Sequence, residues 1–432
     1  MAQTINIDKQ VPVVGQYDVV VCGGGPAGIM AAIAAARGGA ETALIERYGF
    51  LGGMPTAALV APISVFMYNG KLVVGGIPWE FVQRMEALGG AQVELPLGNI
   101  SFHPETYKLV AQRMLLEAEV ELYLHSYISN CRSEQNKLTH VVFENKSGTQ
   151  ALTAKYFIDS TGDGDLAAMA NVPMYIHDKP LQPVSLCFTL GGVDVGSLEK
   201  VHHSQQGVNY HIIPLREKLF ELSKKEDMPN FGGPWMCYML NDSMVQVNMT
   251  RIEANILDER EQTRVECSLR EDAYKMVEIL KKYFEEFKDS YIVTTATQAG
   301  ARETRHIKGV HMLTRDEYVT ALHFPDSISR SAHPIDIHDS SSADQKCEFL
   351  KEAAYIPYRS LIVKDFPNLL VAGRSFSGER EAFASARVQA PVMGMGQAAG
   401  FAAAMACQAD CDVQDVDITT LRDKLIKIGV NI

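Results

Sequence analysis

Apolar runs and alternations divide the chain into recognisable elements. Tyr17–Cys22, YDVVVC, is a short run rich in β-branched residues, the pattern of a buried parallel strand. Ile29–Arg37 is crowded with alanine, as a helix packed closely on a sheet is, and Gly38 stands where its C-cap belongs. Glu41–Glu46, ETALIE, predicts the next strand, and the Gly- and Ala-rich stretch 51–61 predicts a loop. His103–Glu119 predicts a helix with Pro104 in its first turn. VELYLHSYI, 120–128, reads as one strand. KLTHVVFENKSGTQALTAKYFIDST predicts two or three antiparallel strands with a turn at KSGT, ending in the apolar strand Tyr156–Asp159.

The pattern changes near residue 170. Strand signals (VSLCFTLGGV, WMCYMLN, MVQVNMTRI) mix with helices at REKLFELSKKED and Glu259–Asp289, as in an α+β body. Asp326–Gln345 is polar and reads as a loop. From Tyr355 the α/β pattern returns, with the strand NLLVAGR and then Val388–Cys407. That run is long and apolar, but it is built of Gly and Ala around Gln397. It predicts a buried helix rather than a membrane span. The expected fold is α/β: a discontinuous Rossmann-like domain (1–170 and 351–432) whose parallel sheet carries an antiparallel β-meander, plus an inserted α+β substrate domain (171–350). There is no internal repeat.

Composition narrows the classes. The chain has 432 residues, 47% hydrophobic and 21% charged, as a globular protein with a large core does. A net charge of −12 with no dense Lys/Arg cluster argues against a nucleic-acid surface, and so against an RNA-modifying enzyme. The first residues lack the charged and apolar regions of a signal peptide. The 8 cysteines are scattered without a Cys-x-x-Cys, which suits reduced thiols in a cytoplasmic protein. Redox chemistry here therefore calls for a cofactor.

Gly23-x-Gly25-x-x-Gly28 lies between the first strand and the alanine helix. Gly23 allows the tight turn, Gly25 lets a pyrophosphate approach the backbone, and Gly28 lets helix and strand touch. Free N–H groups and the helix dipole then favour phosphate. Pro26 suits the first helical turn. Glu46 closes the second strand, placed to accept ribose hydroxyls and to disfavour a 2′-phosphate. The turn serves NAD and FAD alike. The sheet does not continue at once as β-α-β, however. ERYGFLGGMPTAA and a long detour follow, and the nucleotide-fold pattern returns only at TGDGD and near the C-terminus. That interrupted layout suits a longer ligand, FAD.

These segments, with YGFLGGMPTA, FHPETYKLVAQRML, YFIDSTGDGDLAAMA, ARETRHIKGVHMLTRDE, IPYRSL and NLLVAGRSFSGEREAFASARVQAPVMGMGQAAGFAAA, resemble the FAD-dependent oxidoreductases. The nearer resemblance is to a bacterial branch of two-domain flavoproteins related to the flavoprotein subunits of succinate dehydrogenase and fumarate reductase. It implies that Gly52-Gly53-Met54 run along the pyrophosphate toward the flavin, that the strand from Val120 meets the adenine, and that Thr161-Gly162-Asp163 turn beneath the adenosine. It also implies that Gly373-Arg374 lie near the ribitol. The last helix, taken to start near Met395-Gly396, would aim its N-terminus at the flavin. Pro26, Ala27 and Arg47 complete the implied cofactor set. The family's covalent members carry a histidine in the second glycine loop. LGGMPTAA has none, so non-covalent FAD is expected.

Hydride transfer at flavin N5 needs a positioned C–H, a proton-transfer group, and cations if the substrate is anionic. Arg302 and Arg305 can hold an anion bidentately and His306 can shuttle a proton, although the family pattern would place another Arg at His306. The competing reading pairs these arginines with acids across the domain junction. Tyr358, Arg359 and Arg387 stand where the chain re-enters the cofactor domain and join the catalytic candidates. No metal is expected: His202-His203 and His333…His338 read as surface histidines. Asp163 and Asp165 read as part of the cofactor turn. The expected protein is an FAD enzyme acting on a small-molecule substrate with a separate electron partner, because only one dinucleotide motif is present. The alternative is a flavin-carrying, non-catalytic or electron-transfer subunit. The apolar stretches permit a homodimer.

Overall fold

The computed structural model describes residues 5, 9–96, 98–178, 180–202, 214–240 and 243–432. Its centre is the strand β1 (Val13–Cys22), whose last four residues are fully buried. β1 lies parallel to β2 (Thr42–Ile45) on one side and to β6 (Gly148–Asp159) on the other. β3 (Glu121–Tyr123) extends the parallel part beyond β2. β6 changes neighbours midway. Gly148–Thr153 pair antiparallel with β5 (Lys137–Asn145), and Phe157–Asp159 pair parallel with β15 (Leu369–Val371). β4 (Tyr127–Glu134) completes the meander against β5, so one sheet carries both the parallel core and the antiparallel wing. This is the α/β fold that the strand pattern anticipates.

VELYLHSYI is two strands, not one. His125 turns with φ 53°, and its N–H and that of Ser126 donate to the carbonyls of Tyr48 and Glu46. That break separates β3 from β4.

The helices α1 (Pro26–Arg37) and α6 (Gln389–Ala409) pack tightly together. Added Cβ atoms at Gly396 and Gly400 would collide with the backbone oxygens of Ala27 and Ala31. The Ala/Gly composition is thus a contact surface between two buried helices. α6 begins at Gln389, with Val388 as its N-cap. Met395-Gly396 is therefore about two turns inside the helix, not at its start. Gly396→Ala is expected to destabilise the fold by roughly 3 kcal/mol, the upper end of overpacking effects. Chemical denaturation of the variant checks this, and an unchanged midpoint would contradict the contact.

A second, antiparallel sheet is ordered β8 (Phe231–Tyr238), β9 (Val245–Thr250), β7 (Phe188–Gly191), β10 (Tyr291–Thr295). It has its own core with α4 (Glu259–Tyr283), built from residues such as Phe188, Val247, Ala273 and Met276. α4 stops short of the expected Asp289. Phe284 is extended, and with Phe287 it turns back into this core. Leu313, Tyr318, Phe324, Ile328, Ile335 and Leu350 pack instead into the core of α1 and α6.

The polar segment Asp326–Gln345 is not a loop. β11 (Ser327–Ser331) pairs with β14 (Ala354–Pro357), and β12 (Ile335–His338) pairs with β13 (Gln345–Glu348). Ser327, Ile328, Ser329 and Ser331 are all buried, which polarity counting conceals. All eight cysteines are free thiols. No helix among the described residues is long and apolar enough to cross a membrane.

Candidate active site

The turn after β1 leaves a helix end open. Gly23 has φ +100°, and a Cβ there would stand 2.5 Å from the Ser160 carbonyl oxygen. Gly25 caps α1 in an extended conformation, with no side-chain cap and no acid in the first turn. The first N–H groups of a helix have no partner within it. A Cβ on Gly25 would meet nothing nearer than Gly53 Cα at 4.0 Å. Gly28 is the opposite case, since its Cβ would collide with the Gly23 carbonyl oxygen. The second glycine loop is tied to the first: Gly52 N–H donates to the Gly24 carbonyl at 2.8 Å. Met54 then opens the short helix α2 (Met54–Ala57). Ser160 Oγ, beside Gly28, is buried without a hydrogen-bond partner. An uncapped helix end and an orphaned hydroxyl among glycines fit a bound pyrophosphate.

Glu46 is buried at the tip of β2. Its carboxylate accepts the Gly24 N–H at 2.6 Å and the Tyr48 N–H at 2.9 Å, and burial pushes its pKa up. About four acceptor positions belong to a carboxylate, so two are left for sugar hydroxyls. Val120, between α3 (Pro104–Glu117) and β3, donates its N–H to the Leu115 carbonyl. Arg47 donates to the Gln298 side chain.

The turn Thr161-Gly162-Asp163 is held by Asp159, which accepts from the Thr161 N–H and hydroxyl. Asp163 accepts from Thr304 at 2.8 Å and pairs with Arg374. Burial alone would raise its pKa, but Arg374 and the Thr304 hydroxyl hold it below the usual range. Gly373, at φ 112°, lets the chain pass Ala27, with an added Cβ only 3.3 Å from the Ala27 Cβ.

A cavity of about 450 Å³ opens beside Met54. Its walls include Arg302, Arg374, Arg387 and the start of α6 at Val388 and Gln389. Trp235, Tyr68 and Phe349 give it an apolar side. Arg302 is buried and donates to the Pro183 carbonyl at 2.6 Å and to Ser185 Oγ at 2.8 Å. Burial, with Arg387 and Arg251 nearby, pulls its pKa down to about 9. Arg387 follows α5 (Arg380–Ala386), makes only long contacts to Gln182 and the Asp336 carbonyl, and leaves Nε buried and unpartnered. Neither arginine forms an ion pair among the described residues, so both charges remain for a ligand.

Four other catalytic candidates are displaced from this cavity. Arg305 pairs with Asp165 and donates to the Asp163 carbonyl, as the ion-pair reading anticipates. His306 is fully buried among Tyr175, His177 and Phe383, and burial drives its pKa down to about 3. It lies outside the cavity wall and cannot shuttle a proton there. Tyr358 is buried, with its hydroxyl donated to the Val413 carbonyl. Arg359 is half exposed and forms a two-point pair with Asp326.

The pair read as surface histidines belongs to the cavity wall. His338 Nδ1 accepts from Arg251 at 2.9 Å, and its Nε2–H donates to Asp336 at 2.8 Å. Asp336, also bonded by Gln345, is ionised, while burial keeps His338 neutral, with a pKa near 3. His333 lines the same wall. One signal for this group was present: Asp336 and His338 are two apart, hence on one face of a strand. Among the described residues no cluster could hold a metal, and His203 lies outside them.

A strand–turn–helix with an open helix end, a second glycine loop and an acid at the tip of β2 defines a dinucleotide-binding redox protein. The chain belongs to the FAD dependent oxidoreductase family, whose model matches residues 18–425. It is thus an FAD-dependent enzyme. A dihydrolipoyl dehydrogenase of Trypanosoma brucei brucei is 57% identical over 42 residues, 10% of this chain and 9% of that protein, so the chain matches less than a tenth of that relative's length. A geranylgeranyl bacteriochlorophyll reductase-like protein of Thermoplasma acidophilum is 14% identical, with 96% of this chain and 83% of that one covered at a TM-score of 0.49. A flavoprotein/dehydrogenase of Cytophaga hutchinsonii is 12% identical, with 95% and 84% covered at a TM-score of 0.46.

Proposed function

We propose that the enzyme transfers a hydride between a small organic anion and N5 of a non-covalently held FAD, with a separate electron acceptor or donor. The observation that carries this is the pairing of Arg302 and Arg387, without carboxylate partners, in a cavity that begins at Met54 of the second glycine loop. Two guanidinium groups can orient a carboxylate or phosphate. The cost of burying the Arg302 charge, which lowers its pKa, is offset when an anion arrives.

In this reading Gly23, Gly25, Pro26, Ala27 and Gly28 hold the pyrophosphate, and Glu46 and Arg47 flank the ribose. Gly52, Gly53 and Met54 follow the cofactor toward its ring. Thr161, Gly162, Asp163, Gly373 and Arg374 shape the remaining wall, and Val120 borders the adenine end. The N-terminus of α6 at Val388–Gln389, rather than Met395-Gly396, faces the cavity and can stabilise negative charge there by up to roughly 2 kcal/mol. The flavin, when bound, supplies the two-electron acceptor.

The test is anaerobic mixing of purified holoprotein with a panel of organic carboxylates and phosphates. Bleaching of the flavin by a member of the panel is expected, as is a rise in Tm with non-reacting anions. A flavin that no organic anion bleaches, in a protein whose Tm none raises, would defeat the reading.

A further inference from the structure

Three histidines lie at or behind the cavity wall, and they are not equivalent. His306 is shut behind aromatic rings. His338 has both ring nitrogens engaged, by Arg251 and Asp336. His333 differs. It sits at the corner Ala332–His333–Pro334 between β11 and β12, all three residues lining the cavity. Its Nδ1 stands 2.8 Å from the Pro334 carbonyl oxygen. A carbonyl only accepts, so Nδ1 carries the hydrogen and Nε2 carries the lone pair. The corner is held by Ser385, which donates to the His333 carbonyl and is itself 2.6 Å from the Tyr318 hydroxyl. Among the described residues no hydrogen bond engages Nε2.

We infer that His333 Nε2 is the base that takes the hydroxyl proton of an anionic alcohol, whose anionic group lies against Arg302 and Arg387. The inference rests on the hydride-transfer reading above and names its substrate class. The C–H bond breaks with its electron pair, and both electrons are accepted by oxidised FAD as a hydride. The O–H bond breaks too, its electron pair becoming the second bond of the new carbonyl. The proton passes to His333 Nε2. The substrate thus loses two electrons and two hydrogens, all accounted for.

The surroundings favour this class. Burial, first, lowers the His333 pKa; Asp336 opposes that and Arg387 adds to it. The ring is therefore neutral near pH 7 and ready to accept a proton. An ammonium substrate would enter beside Arg302, Arg374 and Arg387, while of the two carboxylates in the wall Asp336 is committed to His338 and Gln345 and Glu94 accepts from Ser101. An unactivated C–H proton is poorly matched to so weak a base, since proton transfer follows relative pKa.

The test compares wild type, His333→Gln and His333→Ala as holoproteins, each shown by its spectrum to retain flavin. Single-turnover bleaching by a panel of hydroxy acids should slow by about 10²–10⁴-fold in both variants. Added imidazole should restore His333→Ala but not wild type. The wild-type rate should rise with pH, its limb lying below the ordinary histidine range. A second readout is independent of turnover. Calorimetric binding of the matching carboxylate without a hydroxyl, in two buffers of different ionisation enthalpy, should show proton uptake in wild type and none in His333→Gln. Equal rates, or equal proton uptake, in wild type and variants would overturn the assignment of His333. Bleaching by amino acids or saturated acids but not hydroxy acids would overturn the substrate class. Failure of every organic donor to bleach the wild type would instead defeat the hydride reading itself.

Discussion

Gly25→Val is expected to purify as a folded, colourless protein. Gly25 is extended, with φ −76° and ψ −174°, a conformation valine accepts. Its Cβ position is free of protein atoms closer than 4.0 Å, so the fold has room for the first added carbon. That space is where a phosphate must approach the end of α1. Filling it removes two or so charge-assisted hydrogen bonds of about 1.5–3 kcal/mol each. The expected loss is about 3–6 kcal/mol, or roughly 10²–10⁴-fold in FAD affinity. Visible absorbance of the purified variant, with circular dichroism to confirm folding, reads the result. A folded variant that is still yellow would count against this turn as the phosphate site. Gly28→Ala makes the contrast, because its added carbon strikes the Gly23 carbonyl and so attacks the fold rather than the ligand.

Arg387→Met is expected to separate binding from stability. Arg387 has a buried, unpartnered Nε and two long contacts in place of an ion pair. Removing it breaks no ion pair, and Asp336, which feels its charge, keeps His338 and Gln345, so the fold should lose no more than about 1 kcal/mol. Anion binding should weaken by at least about 2 kcal/mol, roughly thirtyfold in Kd. Calorimetry with a non-reacting carboxylate and denaturant unfolding give the two numbers. Unchanged affinity would remove Arg387 from the substrate site.

What the sequence revealed and what it hid follow from how far apart the interacting residues are. The motif around Gly23–Gly28 is local: strand, turn, helix and Glu46 lie within one β-α-β unit, and apolar periodicity makes each legible. The substrate wall is not local. His338 looked like a surface residue because its partner Arg251 is 87 positions away, just past the end of β9. β11 looked like a loop because Ser327, Ser329 and Ser331 are buried beside Ile328, and a serine hydroxyl can bond a carbonyl as Ser327 does with Phe324. Tyr358 and Arg359 are expected at the re-entry to the cofactor domain. Which way each side chain points, toward Val413 and Asp326, depends on packing that no spacing encodes. The apolar run Val388–Cys407 marks α6 almost to the residue, and only the family resemblance moves its start to Met395-Gly396, although Gly394 and Gly396 lie inside the helix. They are notches for neighbours, Gly394 for Ser329 and Gly396 for Ala27.

The central claim is that the open end of α1 and its two glycine loops grip FAD without a covalent bond. Acid precipitation of the purified wild-type protein tests it most directly. The account predicts a colourless pellet and a yellow supernatant with the fluorescence of FAD. A yellow pellet, or a protein that carries no flavin before precipitation, would contradict it.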